Sequence, residues 1–511
     1  DARRREVAVR AALGAARGRV LRQLLTESTV LALAGSVAGL GLTLAGIRLL
    51  VALRPAGLPR LDQVALDLPT LGFTAVLALL TGILFGLVPA LNLSRPDLAG
   101  VLKEGGPTGT AGPARHRFRR GLVVAEMALS VILMVGAGLL IRSLLALHRV
   151  DLGFNERNVL TLRVTLPGSS YPGAAEVVAF FERATEQIRL LPGVRSVGAT
   201  RILPLSGTIG DWSITLKDRP AEPGENPNGD WQVVIDGYFE TMGMTLVKGR
   251  FLTREDRAGN PPVVVINETM ASAYWPDREP LGQQFHLGTR DQPWMTIVGV
   301  VRTSRHNAVV EANRQEMFVP HAQFPAQTGN APRGMTLVVR TEGDPRDLVG
   351  PARGVIRALD PGLPVSDIRT MEQVTADALS APRFTALLLG TFAAAALLLA
   401  AIGVYGTLSL LVAQRSHEIG IRMALGAARG SILRMILGQG MALAGAGVAA
   451  GLAGALILTR LLERLVYGVG ANDPVTFAIV PLVLAGAALL ACAWPARRAA
   501  RVDPAAMLRR E

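Results

Sequence analysis

Six apolar stretches along the chain are long enough to cross a bilayer as helices, which takes about 20 residues. They lie at approximately Ser28 to Leu53, Leu71 to Leu91, Leu122 to Leu147, Phe384 to Val412, Met435 to Leu461 and Val475 to Trp494. The pattern predicts an α-helical membrane protein with six transmembrane helices in two groups of three.

The long segment between the third and fourth stretches, residues 149–382, follows two other periods. Val159 to Leu166 alternates apolar and polar residues, which indicates a half-buried strand. An apolar stripe from Val177 to Leu191 then has helical spacing, and Val194 to Thr200 is again typical of a strand. The same order recurs from Met335 to Ile368. We expect one α+β extracytoplasmic domain built from two β-α-β units, with a β-rich insertion at about Arg201 to Gly334 between them.

Composition agrees with a membrane protein. The 511 residues are 50% hydrophobic, with a mean hydropathy of +0.35. The formal charge of +13 could suggest nucleic acid, but the basic residues gather beside the apolar stretches and no helix-turn-helix, zinc or RNA-binding motif accompanies them. The single cysteine, Cys492, can form no intrachain disulfide. We therefore predict no nucleic-acid partner and a lipid bilayer as the surroundings of the helices.

The distribution of Lys and Arg predicts the orientation, because cationic loops stay on the cytoplasmic side. Twenty-two of these residues flank the first, third and fifth stretches at their amino-terminal ends or follow the sixth. The two short loops on the other side contain only Arg54 and Arg60, and Arg460 and Arg464. We expect a multi-pass protein of the bacterial inner (plasma) membrane, with both termini cytoplasmic and residues 149–382 outside.

One phrase occurs twice: REVAVRAALGAARG at 5–18 and HEIGIRMALGAARG at 417–430 are identical at nine of fourteen positions. In each copy a glutamate precedes an arginine by four residues, a favourable helical pair, and a glycine that suits a left-handed helix end follows. Each copy is predicted to be a short cytoplasmic helix, a turn and a second helix that enters the membrane. Taken alone, such a helix could simply anchor its span at the interface.

The duplication extends beyond the phrase. PALNLSRPDLAGVLK at 89–103 parallels PARRAARVDPAAMLR at 495–509, at the ends of the second and sixth stretches. Because both copies run in the same direction, the repeats should be related by an axis along the membrane normal. Two equivalent cytoplasmic helices would fit a partner with two equivalent faces.

The sequence contains no GxxxxGK[ST] loop, no HExxH motif and no paired CxxC motif. The spacing of the candidate polar residues in the outer segment favours ordinary surface or hydrogen-bonding roles over a metal or acid–base site. These are His286, His306, His321, Asp211, Asp230 and Asp236. Within the spans, Glu126 is interpreted as pairing with Arg119 or Arg120 near the interface, and Arg142 as reaching toward the interface.

The chain resembles the MacB/FtsX-like permease subunits of ABC transporters, particularly the duplicated permeases of this type. The resemblance covers essentially the whole chain. It rests on the order and spacing of HEIGIRMALGA and its copy REVAVRAALGA, GLVVAEMALSVILMVGAGLLIRSL, NVLTLRVTLP, VVVINETMASAYWP followed by PLGQQF, and the terminal RVDPAAMLR.

The resemblance implies a domain order: a first coupling helix at 1–23, a partial FtsX-like domain with two spans at 24–103, and a basic linker at 104–121. A transmembrane helix at 122–148, a MacB-like periplasmic core domain at 149–382 and a second FtsX-like domain with three spans at 383–511 follow, its coupling helix at about 415–430. In a four-span unit the first copy would lack its preceding span and outer domain.

The resemblance also assigns the repeated phrase to docking on a separate cytoplasmic ABC ATPase dimer, which would bind the ATP; no cofactor is expected in this chain. The implied docking residues are Glu6, Arg10, Gly14, Arg17, Gly18, Glu418, Gly420, Arg422, Gly426, Arg429 and Gly430. The implied role is a permease that converts ATP hydrolysis by its partner into movement of the outer domain, for efflux or export. Alternatives are an FtsX-like signalling or hydrolase-activating complex without transport, and a membrane-anchored extracytoplasmic enzyme. Further partners could be a second permease half, a periplasmic adaptor or an envelope hydrolase.

Overall fold

The structure is a computed structural model that describes residues 17–53, 66–93, 113–219, 226–288, 292–311, 313–425, 427–462, 467–470 and 472–500. It contains two compact units. The first comprises Asp1–Met127, Leu399–Ala450 and Ala485–Glu511, and the second comprises Ala128–Leu398 and Gly451–Leu484. Several long helices begin in one unit and end in the other.

The helices follow the apolar stretches and add short elements between them. In chain order they are α1 (Arg17–Leu53), α2 (Leu68–Leu93), α3 (Pro113–Leu147), α4 (Ala174–Arg189), α5 (Tyr238–Met242), α6 (Glu268–Tyr274), α7 (Phe324–Thr328), α8 (Val349–Leu359), α9 (Met371–Ala378), α10 (Ser380–Gln414), α11 (Ser416–Ala424), α12 (Arg429–Leu462) and α13 (Pro474–Ala500).

Five of these helices contain segments long and apolar enough to span a membrane: Leu25–Arg48, Arg119–Leu147, Ser380–Gln414, Arg429–Arg460 and Pro474–Arg497. They are apolar on most sides, which is what lipid contact requires. In α2 the apolar segment found among the described residues, Leu68–Ile83, is shorter. The count of six spans therefore stays a prediction, while the existence of several membrane-length helices is confirmed.

The strands form one sheet system between α3 and α10. They are β1 (Val159–Thr165), β2 (Val194–Thr200), β3 (Asp211–Leu216), β4 (Asn228–Ile235), β5 (Leu246–Gly249), β6 (Val263–Asn267), β7 (Gln284–Leu287), β8 (Met295–Val301), β9 (Glu316–Pro320), β10 (Gly334–Thr341) and β11 (Val365–Thr370). We call residues 149–382, which contain these strands, the sheet domain.

Two β-α-β units interleave at one end of the sheet, in the order β11-β1-β10-β2. All three neighbouring pairs are antiparallel, so β1 and β2 run parallel with β10 between them, and β10 and β11 run parallel with β1 between them. Each unit thus leaves a gap that the strand of the other unit fills. The alternation in the sequence located these strands and helices to within a few residues.

The predicted β-rich insertion is a ring of strands rather than a separate open sheet. The pairing β4-β3-β7-β8-β6-β9 closes because β9 also pairs with β4, in parallel. Closure leaves no open edge on these six strands, and β5 adds to the ring beside β8. Ala199 and Thr200 of β2 pair with Ile235 and Val234 of β4, so the ring is continuous with the β-α-β sheet.

Alternation along the strands divides the core into two apolar clusters. On β10, Leu337 and Val339 belong to the cluster that includes Phe180 and Phe181 of α4, whereas Val338 between them points to the other cluster. This second cluster contains residues at the ends of two long helices. It includes Tyr238, Phe239, Phe318, Leu147 at the end of α3, and Leu379 immediately before α10.

Candidate functional site

The second copy of the repeated phrase forms α11, a nine-residue helix. Glu418 and Arg422, the pair predicted from the sequence, lie on one face, with Glu418 Oε1 2.6 Å from Arg422 Nη2. Both side chains are about half exposed, so this pair adds only a few tenths of a kcal/mol to helix stability. It orients the side chains and leaves them available at the surface.

Apolar side chains beside this pair differ in burial. Ile419 is 4% exposed and fixes the helix on the structure, whereas Ile421 is 41% and Leu425 82% exposed. Large apolar side chains that stay exposed next to a charged pair are typical of an interaction surface. We call Glu418, Ile421, Arg422 and Leu425 the α11 surface.

The turn after α11 connects this surface directly to a spanning helix. Arg422 Nη1 also lies 3.1 Å from the sulfur of Met435, one turn into α12. The backbone N–H of Ala427 donates to Arg422 O at 2.9 Å, and that of Ser431 donates to Ala428 O at 2.9 Å. A displacement of α11 would therefore be passed to the start of α12.

The remaining predicted docking residues have different placements. Gly420 is buried on α11, and Arg429 and Gly430 are the first residues of α12, where Gly430 has open space around it. Gly426 lies outside the described residues, as do Glu6, Arg10 and Gly14 of the first copy. Arg17 begins α1 and Gly18 is exposed there.

At the other end of the spans, the helices join the sheet domain without a flexible connection. Leu147 and Leu379 are buried in the same apolar cluster as Tyr238 and Phe318. Helix α9 precedes α10 by a single residue, and its amino terminus has a capping box in which the Thr370 and Gln373 side chains each bond the other's backbone. Movement of α3 or α10 at this level must therefore move the sheet domain.

A loop of the sheet domain reinforces this connection. Arg305 Nη2 donates to the Tyr467 hydroxyl at 3.1 Å, and Tyr467 N donates to Ser143 Oγ of α3 at 2.8 Å. Because Tyr467 follows α12, the loop, α3 and the segment between α12 and α13 are joined by two hydrogen bonds. We call Arg305, Tyr467 and Ser143 the junction triad.

Arg142 of α3 was interpreted from the sequence as reaching toward the membrane interface, and the structure shows a specific partner instead. Its guanidinium forms an ion pair with Asp473, which is 8% exposed. Asp473 also caps α13, accepting from Thr476 N at 2.8 Å and Thr476 Oγ1 at 2.7 Å. The pair locks α3 to the beginning of α13.

Inside the spans, the Glu126 side chain lies against α10. A Cβ at Gly403 would lie 2.5 Å from Glu126 Oε2, so a larger residue at this position would require the Glu126 side chain to move. Arg119, its predicted partner, donates to Gly406 O at 3.2 Å. These two contacts fix α3 to α10.

Two residues interpreted as ordinary polar groups converge beside the paired strands β4 and β9. His306 and Asp230 are 7% and 3% exposed, and they meet Glu316 of β9, which is 3% exposed. His306 Nδ1 lies 2.9 Å from Glu316 Oε1, and Arg314 Nη2 lies 3.0 Å from Asp230 Oδ1. Neither contact has the angle of a hydrogen bond, so these carboxylate oxygens have no donor among the described residues. We call these four residues the ring cluster.

Burial affects the protonation of Asp230 in this cluster. Desolvation raises the pKa of Asp230 to about 6, although the Arg314 guanidinium opposes the rise. Gln232 Nε2 lies 2.8 Å from His306 Nε2, and since the amide nitrogen can only donate, this imidazole nitrogen accepts. Sequence spacing missed this cluster because its members come from β4, β9 and the loop between β8 and β9.

The cavity beside the ring cluster is small. This cavity, lined also by Ser304 and Asn307, has room for no more than about one water molecule. Among the described residues, no group of three or more His, Cys, Asp or Glu side chains could hold a metal ion.

The other two histidines are also buried. His321, 2% exposed, places Nε2 3.1 Å from Pro332 O and its ring edge-on to Phe181, and desolvation lowers its pKa to about 4. His286, 4% exposed, lies against the Trp294 ring with the centroids 4.6 Å apart. Asp211 is exposed, and Asp236 forms ion pairs with Arg189 and Arg254. The non-catalytic roles expected for His286, His321 and the two aspartates stay predictions.

The fold and these contacts define a class: a membrane protein whose spanning helices end in an α+β domain and carry a short helix with an exposed surface at their other end. Residues 1–98 and 390–504 match the family described as FtsX-like permease C-terminal, and residues 121–350 match the MacB-like periplasmic core domain. The chain belongs to the MacB/FtsX-like permeases of ABC transporters.

Relatives in this family are named for transport. The macrolide export ATP-binding/permease protein MacB of Hahella chejuensis is 27% identical over 78% of this chain and 58% of its own length. MacB of Azoarcus sp. is 30% identical over 54% of this chain and 41% of its own. The uncharacterized ABC transporter permease YknZ of Bacillus subtilis is 25% identical over 67% of this chain and 82% of its own. The chain thus spans about half the length of the MacB relatives that it matches.

Solved structures of MacB and YknZ domains are similar to part of this chain. The periplasmic region of MacB from Actinobacillus actinomycetemcomitans has a TM-score of 0.31 and 13% identity, over 45% of this chain and 95% of that chain. The extracellular domain of YknZ has a TM-score of 0.28 and 16% identity, over 41% of this chain and 100% of that chain. These scores are too low to support an argument about function.

Proposed function

We propose that the chain is the permease subunit of an ABC-type transporter, in which ATP hydrolysis by a separate cytoplasmic ATPase dimer moves the sheet domain for efflux or export. The observation that carries the proposal is the α11 surface: exposed apolar side chains beside a charged pair, on a helix joined to α12 by a short turn. The names of the MacB relatives, which describe macrolide export, support the same role.

The proposed orientation follows from charge. The arginine-rich flanks of α1, α3 and α12 lie in the cytoplasm, which puts α11 there and the sheet domain on the opposite side of the bacterial inner membrane. ATP is bound by the partner, and this chain contributes the mechanical path. The path runs from α11 through α12, and from the spans through the junction triad and the buried Leu147 and Leu379.

The first experiment tests docking. The chain is purified with the ABC ATPase encoded beside it, as wild type and as the double variant Ile421→Glu/Leu425→Glu. Placing two charges where apolar side chains would be buried should lower ATPase association about tenfold or more. Leu190→Glu is the matched control, because Leu190 is equally apolar and 81% exposed but lies in the sheet domain.

A second variant separates charge from packing. Exchanging the pair, as Glu418→Arg with Arg422→Glu, keeps the helical contact but reverses both charges. If docking uses these charges, association and ATPase stimulation should fall together. Full association and stimulation in both the apolar and the exchanged variants would refute the docking role of α11.

A further inference from the structure

A groove lies where two spans join the sheet domain. Its volume is about 320 Å³, within the range of about 300–1,000 Å³ that is typical of small-ligand sites. Leu147, in its lining, is the last residue of the span Arg119–Leu147, and Leu379 directly precedes the span Ser380–Gln414. The groove therefore lies where these helices leave the hydrocarbon of the bilayer, at the level of the lipid headgroups. We call it the base groove.

Apolar side chains form part of the lining. Val150, Leu152 and Phe154, which follow α3, pack against the apolar cluster that contains Leu147 and Leu379, but they are only partly buried. They therefore leave apolar surface in the groove at a level where water and acyl chains meet. Covering this surface with the first carbons of an acyl chain would remove it from water, which is favourable.

The base groove is also lined by four titratable side chains: His148, Asp151, Glu156 and Arg157. Asp151 Oδ2 lies 3.5 Å from Arg302 Nη1, and His148 is exposed. Glu156 Oε2 is buried and has no hydrogen-bond donor among the described residues. In the same part of the chain the Arg157 guanidinium has no ion-pair or hydrogen-bond partner, and only its backbone N–H and C=O are bonded. One unpaired anion and one unpaired cation thus line the same groove.

Backbone bonds hold the turn that carries these two residues. Asn155 Oδ1 accepts from Arg157 N at 3.0 Å, and Asn155 N donates to Met242 O at 2.7 Å. Arg340 donates from Nη1 to Arg157 O and from Nη2 to Asn155 O, each at 2.8 Å. The turn is therefore fixed without the Glu156 and Arg157 side chains, which remain available to a ligand on a preorganised backbone.

We propose that the base groove binds the headgroup of a phospholipid that carries a primary ammonium group, phosphatidylethanolamine. The ammonium donates hydrogen bonds to the Glu156 carboxylate, and the phosphate accepts hydrogen bonds from the Arg157 guanidinium. The first acyl carbons cover Val150 and Phe154. Such a lipid has both opposite charges in one molecule, and the bilayer supplies it at the level where the groove lies.

Other ligands fit the two charges or the apolar lining less well. Phosphatidylglycerol has the phosphate without a cation, so it leaves Glu156 Oε2 without an ammonium donor. Phosphatidylcholine has a quaternary ammonium group, which has no N–H to donate. The free headgroup glycerophosphoethanolamine has both charges but no acyl chains for the apolar side chains of the groove. These three compounds are therefore the comparison ligands.

The proposal is tested by native mass spectrometry of the full chain purified in detergent, which counts bound lipids of known mass. The dioleoyl forms of the three lipids are titrated separately against wild type, Glu156→Gln and Arg157→Gln. The double variant Asp277→Asn/Arg278→Gln is the matched control. Asp277 and Arg278 are also an adjacent acid and arginine, but they are exposed and lie outside the base groove.

We expect wild type to bind the first ethanolamine lipid about threefold to tenfold more tightly than the glycerol or choline lipid, the effect of a charged hydrogen bond in a groove open to water. Glu156→Gln should lower the affinity for the ethanolamine lipid and raise it for the glycerol lipid, because the groove then keeps only its cation. Arg157→Gln should weaken the binding of all three lipids. Because the Glu156→Gln readout includes a gain in affinity, loss of folding cannot produce it.

Four results would overturn the proposal. Equal affinity of wild type for the three lipids would show that the headgroup is not recognised. An unchanged lipid preference in Glu156→Gln, or an equal change in the control variant, would remove Glu156 from the site. Displacement of the bound lipid by an equal concentration of glycerophosphoethanolamine would show that the acyl chains are not held. A two-chain species that Glu156→Gln disperses would show that a second copy occupies the groove. None of these outcomes depends on ATPase docking at α11.

Discussion

Asp230 offers the most direct test of how burial governs stability in the sheet domain. The raised pKa, from 3.8 to about 6, means that the folded state holds a proton which the unfolded state has released. Stability from this group is fully present below about pH 4 and is lost as the pH rises through about 6. The shift corresponds to about 3 kcal/mol, and because Asp230 is 3% exposed, solvent screens little of it.

The perturbation is Asp230→Asn, which keeps the shape and removes the titration. Four of the five tryptophans, Trp212, Trp231, Trp275 and Trp294, lie in the sheet domain, so tryptophan fluorescence during urea unfolding mainly reports on this domain. Between pH 4 and pH 7 the variant should gain about 3 kcal/mol relative to wild type. Asp277→Asn, at an exposed aspartate, is the matched control.

The free energy of unfolding of Asp230→Asn must be compared with that of wild type at each pH, because His321 changes the stability of both chains in the opposite direction. Its pKa is lowered to about 4, so the unfolded state binds the proton first and stability rises with pH up to about 6.5. The two effects largely cancel in wild type. If the stability difference between Asp230→Asn and wild type stays constant from pH 4 to pH 7, then Asp230 is not buried as a charge and the account of the ring cluster is wrong.

Three further predictions concern packing and pairing. Replacing His321 by Phe should remove a stability rise of about 3 kcal/mol between pH 4 and 6.5, and an unchanged urea-unfolding profile against pH would contradict its burial. Gly198→Val should destabilise the sheet domain by roughly 1–3 kcal/mol, because the new side chain would meet the Tyr238 backbone; the urea midpoint measures this, with Gly343→Val, in open space, as control. Arg142→Met should lower stability in detergent by roughly 1–3 kcal/mol by leaving Asp473 without its cation, measured by thermal unfolding, and Arg383→Met, which breaks no ion pair found among the described residues, should leave it unchanged.

The sequence located the elements well where one short period determines them. β2 was predicted at Val194 to Thr200 and lies there, since Pro192-Gly193 stops the preceding helix and the strand alternates after it. In the same way, Glu418 and Arg422 are paired because four residues make about one helical turn. Local spacing contains all the information that such features need.

Other features depend on partners distant in the chain. Asp230 and Glu316 meet only because β4 and β9 pair in parallel, and no periodicity in either strand states which strand it pairs with. The sequence predicts that Arg142 reaches toward the interface, because its partner, Asp473, is distant in the chain and lies directly before α13. The closed ring of six strands has the same origin, since its closure is a single long-range pairing.

The rigid connection between α3 and the sheet domain has a geometric consequence. Helix α3 has 35 residues and is therefore about 50 Å long, at about 1.5 Å per residue. A tilt of about 5° around one end would carry the other end through about 4 Å, close to the thickness of one strand. Because Leu147 is held in the apolar cluster, a tilt of this size would displace the sheet domain. The displacement would be large enough to open or close a contact.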